Sequence, residues 1–439
     1  MARSQRISVR RNLQELIPNS LAMDLAARTG FVKRERKLEL PAFAWSLALG
    51  FGSGGRRTIS SLHDTYLTVA RKGMNESSFG DHLRKPEFVD YAKGLVEHAI
   101  TKVDASEDWE GTKLGGDLAQ FKELLCADSS LVRLHWSLQD AFPGTRTNHS
   151  PASLKVHLVQ KVHGSGVKRI KITEGRRADA RTLPVDESIR DNLLLIDLGY
   201  YDFAKFSRID ALGGYFISRV KAGANPTIVR SLLNHRGNSV DVENARLQDV
   251  LPRFRRQVID LQVRVRFQTR VYKGKRQYKE QILRLVGVWN DDEARYHLYF
   301  TNLSPEQLGA ESVAEAYRLR WHVELFFRQL KTIHGMGETR VMNEFASVGL
   351  VYMAILSLLA TRQLIHALEE RFGLTPAELC FEHAAGVVQH HALFILRIIV
   401  RPPRDFGRLE LETERTLIRK MPNRNASCRQ SLRSKTMYL

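Results

Sequence analysis

Apolar residues recur every three or four positions through "SLAMDLAARTGFV" and "LPAFAWSLALGF", and "GSGG" at 52–55 interrupts them. This spacing predicts a helical region over residues 1–115, expected to be an N-terminal DNA-binding region. Within it, "MNESSFGDHLRK" fits the second helix of a helix-turn-helix, capped by Asn75 or Ser77. An ordinary helical hairpin explains the stretch equally well. From 116 to 222 the texture changes to α/β. "KELLCADSSLVRL", "SLKVHLVQKVHG" and "VKRIKITEG" predict three strands of an antiparallel meander joined by short turns. A short helix near "DESIR", a buried strand in "NLLLIDLGY", a helix through "YDFAKFSRIDAL" and a strand in "GYFISRVKAG" complete that part.

Residues 223–302 read as mainly β. "VRVRFQTRVYKGKRQYKEQILRLVGVW" alternates apolar with basic residues, turns at "KGKR" and returns as a second strand. Helical spacing resumes over 303–365 and continues through 366–439. The last stretch, Arg415 to Leu439, holds seven basic residues and no acid.

Composition narrows the partners. The chain has 439 residues, enough for two or three domains, and 43% hydrophobic content suits a large core. Its 67 Lys and Arg against 48 Asp and Glu give a formal charge of +19, which calls for a polyanionic partner or a charged membrane surface. The nearly uncharged run Val348 to Ala360 is shorter than the ~18–20 residues that span a bilayer, and no apolar signal core follows the basic stretch Met1 to Arg11. Cys126, Cys380 and Cys428 are far apart and odd in number, as expected of a reduced, intracellular protein. Basic charge is densest between Arg253 and Arg284, where eleven Lys and Arg face only Asp260 and Glu280. A solvated sheet face normally mixes both signs, so this stretch is expected to contact nucleic acid, with Arg264, Arg266 and Arg270 on its first strand.

"YRLRWHVELFFRQLKTIHG", residues 317–335, raises a sharper question. On one continuous helix, at ~100° per residue, Tyr317, Arg320, Glu324, Arg328 and Lys331 share a face with Trp321, while Leu319, Val323, Phe326 and Leu330 form the core side. Glu324 is the lone acid on that basic face. A salt-bridge ladder through Arg320, Glu324 and Arg328 would explain it, and so would a catalytic carboxylate. Two further acids tilt the choice. Asp128 interrupts the apolar strand "LLCADSSLV" and Asp197 ends "LLLID", although aspartate is disfavoured inside strands. An edge or turn position would account for Asp128 and a helix cap for Asp197. Together with Glu324 they also suit a pair of Mg²⁺ ions ~3.5–4 Å apart, serving phosphodiester chemistry.

The spacing Tyr317-x2-Arg320-x3-Glu324-x6-Lys331 resembles the YREK signature of DDE transposases of the insertion-sequence-4 type. "ADSSLVRLH" resembles that family's first-Asp strand, though Ser129-Ser130 stand where relatives often have Thr. "LLLIDLGYYDFAKFSRIDALGGYFISRVKAG" resembles the second-Asp segment and the following Arg-x-Lys strand, here Arg219 and Lys221. The likeness runs from about 115 to 365. It implies an α/β, RNase H-like catalytic core (116–222 and 303–365) interrupted by a mainly β insertion (223–302), with helical N-terminal and C-terminal regions. It implies that Asp128, Asp197 and Glu324 hold two Mg²⁺, which Mn²⁺ can replace, and that Tyr317, Arg320 and Lys331 hold the transposon end. Arg328, Arg219 and Lys221 would join them on DNA. Trp321 would stack on an unpaired base or simply pack on the sheet. The implied activity is cut-and-paste transposition of an insertion sequence at its terminal inverted repeats. Its partners would be double-stranded DNA of the ends and the target, and a second copy in a synaptic homodimer, in the cytoplasm on the nucleoid and with no membrane. The alternative is an inactive or domesticated relative that binds DNA without cutting it.

Overall fold

A computed structural model describes residues 8–33, 38–52, 57–105, 115–145, 150–162, 166–232, 242–254, 258–272, 275–337, 341–372, 381–401, 408, 412–413 and 415–417. Cys380, Cys428, the "KGKR" turn at 273–274 and most of the basic tail lie outside them, whereas Cys126 is a buried free thiol. The N-terminal part folds as α1 (Val9–Leu16), α2 (Asn19–Thr29), α3 (Leu40–Gly52), α4 (Ile59–Leu67), α5 (Glu76–Leu83) and α6 (Pro86–Ala105). Asn75 caps α5 by accepting from the Ser78 N–H at 2.8 Å. The exposed side of α5 carries Glu76, Ser77 and Asp81, and Arg84 just beyond its end is exposed and paired with Asp81.

The strands are β1 (Leu124–Arg133), β2 (Ser153–Lys161), β3 (Val167–Glu174), β4 (Leu193–Ile196), β5 (Tyr215–Arg219), β6 (Thr227–Ser231), β7 (Ile259–Tyr272), β8 (Lys275–Asn290) and β9 (Arg295–Thr301). Among the described residues they form one sheet in the order β3-β2-β1-β4-β5-β9-β8-β7-β6. β1, β2 and β3 make the expected antiparallel meander, but residues 134–152 separate β1 from β2, so that connection is a long loop and not a short turn. β4 and β5 run parallel to β1, and β9 then pairs antiparallel with β5. Two small helices, α7 (Phe203–Ala211) and α8 (Leu247–Val250), belong to the same stretch of chain.

Both faces of the sheet centre are covered, which is why "LLLI" is apolar throughout. Leu124 and Cys126 of β1, with Leu193 and Leu195 of β4, join a core shared with the helices. The alternate residues Leu125, Ala127, Leu194 and Ile196 join a second core with Phe206 and Val250 from α7 and α8. The helical side is completed by α9 (Ala310–Arg318), α10 (Trp321–Thr332), α11 (Glu344–Phe372), α12 (Phe381–His390) and α13 (Ala392–Val400). α11 packs on α6, α3 and α1, and α13 packs on α3 and α1, so the N-terminal and C-terminal helices share one core. By length and composition Glu344–Ala367 could cross a membrane, a stretch longer than the run singled out in the sequence. Of its most apolar window, however, 83% is buried inside the protein, as in a core helix.

Candidate active site

The register of β1 and β4 brings two aspartates together. Their parallel pairing ends at Ala127 opposite Ile196, and the next residue on each strand is Asp128 or Asp197. Asp128 continues the row of Leu124 and Cys126, and Asp197 that of Leu193 and Leu195, so both belong to the face covered by the helices. β1 is an interior strand, which removes the edge explanation for Asp128. Asp197 does cap a turn, accepting from the Gly199 N–H at 3.3 Å, while staying 37% exposed.

The helix carrying Glu324 is not continuous with Tyr317. α9 ends at Arg318 and α10 starts at Trp321. Between them the amides of Arg320, His322 and Val323 bond to the carbonyls three residues back. The Leu319 carbonyl, which accepts from the His322 amide, also faces the Cys126 thiol on β1 at 3.8 Å. This tightened turn swings Arg320 over the strand ends. There Arg320 Nη2 pairs with Glu324 Oε1, Nη1 lies 3.9 Å from Asp128 Oδ2, and Nε lies 3.9 Å from Asp197 Oδ1. One guanidinium meets all three carboxylates.

The arrangement is short of positive charge. Burial pushes the Asp128 carboxyl up to about 6, with Asp197 and Glu324 adding to the rise and the Ser129 N–H and Arg320 opposing it. Arg320 Nε is buried without a hydrogen-bond partner. Three hard oxygen donors gathered at one place are the donor chemistry of a magnesium or manganese site. Among the described residues no three such side chains stand at metal-ligand spacing, and Arg320 approaches all three carboxylates. A carboxyl with a raised folded-state pKa binds extra protons between about pH 4 and 6, so its ionisation costs stability above that window. Asp128→Asn is therefore expected to stabilise the metal-free protein by on the order of 2 kcal/mol at pH 8 and by almost nothing at pH 4. Urea unfolding at the two pH values measures the difference.

The remaining predicted residues divide. Lys331 is exposed, and its ammonium is drawn down by partial desolvation and Arg133, with Asp128 pulling the other way. Tyr317 is buried, 6% exposed, and donates its hydroxyl to the Ile196 carbonyl at 3.4 Å, so it braces the strand end before Asp197. The proposed ladder is only half present. Arg328 turns away from Glu324 to Glu382 of α12, at 3.0 Å, because their helices are neighbours. Arg219 and Trp321 line a cleft of about 850 Å³ beside Arg320, and Trp321 is 55% exposed, so it does not pack on the sheet. Sequence reasoning missed Arg318 and Trp289 in the same cleft. Lys221 lies 4.8 Å from the Tyr201 ring centre. On β7, Arg264 and Arg266 are exposed and alternate with buried Val263, Val265 and Phe267. Arg270 is part of that strand, but its side chain lies outside the described residues.

The family model described as the transposase DDE domain matches residues 119–360. The transposase for insertion sequence element IS231F of Bacillus thuringiensis subsp. israelensis is 22% identical over 88% of this chain and 85% of its own. The IS231B transposase of Bacillus thuringiensis subsp. berliner is 21% identical over 90% and 87%. The IS1151 transposase of Clostridium perfringens is 21% identical over 56% and 57%. A solved piggyBac transposase synaptic complex with hairpin DNA aligns over 96% of this chain and 87% of that one, at 10% identity and a TM-score of 0.47.

Proposed function

The chain belongs to the transposase DDE-domain family, and from that premise we propose that it is an insertion-sequence transposase that cuts and rejoins DNA at the element's ends. The observation that carries this reading is the meeting of Asp128, Asp197 and Glu324 on the Arg320 guanidinium. These three carboxylates would hold two Mg²⁺ or Mn²⁺ ions, which when bound activate water or a 3′-hydroxyl and stabilise the leaving oxygen. Arg320 supplies positive charge to the acids while the site waits. A DNA phosphate competes for its paired N–H groups and draws it from the carboxylates. Lys331 holds a neighbouring phosphate as a point charge, and Tyr317 keeps the second aspartate's strand end fixed. Arg219, Arg318 and Arg320 outnumber Asp291 and Asp292 among the cleft's charges, and exposed Trp321 with Trp289 offers stacking surfaces for a base near the cut.

In this reading β1–β5, with α9 and α10, form an RNase H-like core, and residues 223–302 are an insertion that extends its sheet through β9. The support is the order of elements, since β6–β9 intervene between β5 and the helix bearing Glu324. Residues 1–115 would be a helical DNA-binding region, and 366–439 a helical C-terminal region ending in a basic tail. Two copies would act together, each on one transposon end, in the cytoplasm and on the nucleoid.

The deciding experiment is nicking and strand transfer on DNA carrying the element's ends, with and without Mg²⁺. Binding to the ends with no cleavage at any Mg²⁺ concentration would favour a DNA-binding relative. The arginine face of β7 makes a separate prediction. Replacing Arg264, Arg266 and Arg270 by Gln should weaken binding and flatten the plot of log affinity against log salt by up to about 0.9 per lost phosphate contact. An unchanged slope would leave that face to solvent.

A further inference from the structure

Behind the two aspartates lies a second, buried cluster that the proposed reaction does not use. Asp179 opens a 3-10 turn, Asp179–Arg181, and is 22% exposed at its side chain. Its Oδ1 accepts from the Ser129 hydroxyl at 2.8 Å and lies 3.2 Å from Lys155 Nζ. The Ser129 amide in turn donates to Asp128 Oδ1 at 2.7 Å. On its other side Asp179 Oδ2 backs onto Gly199, two residues after Asp197. A Cβ built there would stand 3.0 Å from that oxygen.

His157 closes the circuit. It faces Ser129 across the β1–β2 ladder and is 4% exposed. Burial, with smaller effects from nearby charges, holds it down to about 4, so the ring is neutral at physiological pH. His157 Nε2 lies 3.0 Å from the Thr173 hydroxyl, which donates to the Glu174 carbonyl. Its Nδ1 lies 3.0 Å from the Thr182 hydroxyl, which donates to the Asp179 carbonyl. The same Nδ1 is 3.3 Å from the hydroxyl of Tyr200, on the turn that Asp197 caps, and 3.5 Å from Asp179 Oδ1.

We propose that Asp179, held by Lys155 and backed by His157, is a positioning residue that joins the Asp128 and Asp197 segments and fixes the spacing of their carboxylates. The proposal rests on the metal-site reading above. A metal's outer partners orient its ligands, and losing one typically costs ~10–100-fold in metal affinity. Asp179 acts through the Ser129 hydroxyl on one segment and through its contact with Gly199 on the other.

The test is Mn²⁺ binding to the full-length protein, without DNA, followed by electron paramagnetic resonance. Asp179→Asn should weaken binding about tenfold or more, and Ser129→Ala several-fold, while affinity for a DNA end in metal-free buffer stays within about twofold. If Asp179→Asn fails to fold because Lys155 is left unpaired, Asp179→Asn with Lys155→Met removes both charges and should show the same weakened binding. Mn²⁺ affinity equal to wild type in the folded Asp179 variant and in Ser129→Ala, with only thermal stability lowered, would overturn the proposal. Asp128→Ala separates this failure from that of the underlying reading. Loss of Mn²⁺ binding in Asp128→Ala alone sinks the positioning role, whereas unchanged binding in Asp128→Ala sinks the metal site itself.

Discussion

Glu324→Gln is expected to stop strand cleavage while the protein still folds and still binds the element's ends. Gln preserves shape and polarity but removes the charge that would help hold a divalent cation. Losing a direct ligand should cost more than the ~10–100-fold typical of an outer partner. Binding should survive or tighten, because an uncompensated carboxylate repels phosphate until a metal intervenes. Freed from Glu324, Arg320 keeps its 3.9 Å approaches to Asp128 and Asp197 and becomes more available to DNA. Stability should change little, because this ion pair is part-exposed and joins residues four apart on the chain. Arg320→Ala should show the opposite order of loss, with end binding failing first. Cleavage assays and gel-shift titrations on the same end-bearing DNA distinguish the two variants. Full cleavage by Glu324→Gln would return that carboxylate to a plain salt bridge.

The convergence of these acids was legible because two simple periods agree. Alternation along β1 and β4 places Asp128 and Asp197 on one face of adjacent parallel strands. The buried Val323, Phe326 and Leu330 seat α10 so that Glu324 stays at its rim. What periodicity could not reveal is the tightened turn at Leu319 and Arg320. The apolar spacing runs through it uninterrupted, and the break falls where the Leu319 carbonyl faces Cys126 of β1. Arg328 misled for a related reason. Spacing of four permits a pair with Glu324, but it says nothing of Glu382, more than fifty positions away, which competes for the same guanidinium. The Asp179 cluster carried no sequence signal, since it gathers residues from β1, β2, β3, the 179–181 turn and the 198–200 turn.

Arg284 tests where the basic β region stops being a DNA-facing surface. Its sequence context counts it among eleven cations, yet its side chain is 4% exposed. The outer part of β8 is open to solvent, whereas its inner part lies under α9, which alternation within a strand cannot disclose. There Arg284 grips Asp260 with two bonds, Nε to Oδ1 at 2.8 Å and Nη2 to Oδ2 at 2.7 Å. Its Nη1 donates to the carbonyls of Leu308 at 2.6 Å and Ser304 at 3.0 Å. Those carbonyls belong to the loop that launches α9, so one side chain ties the β7–β8 ribbon to the helices leading to Arg320 and Glu324. Arg284→Ala would strand the Asp260 carboxylate in a buried site and orphan the carbonyls, and should destabilise the protein by about 3–5 kcal/mol. Adding Asp260→Asn to Arg284→Met should recover much of that loss, leaving roughly 1 kcal/mol for each carbonyl without a donor. Urea unfolding at 25 °C gives both values. If Arg284→Ala cost less than about 1 kcal/mol but lowered the salt slope of DNA binding, Arg284 would belong with Arg264 and Arg266 on the nucleic-acid face after all.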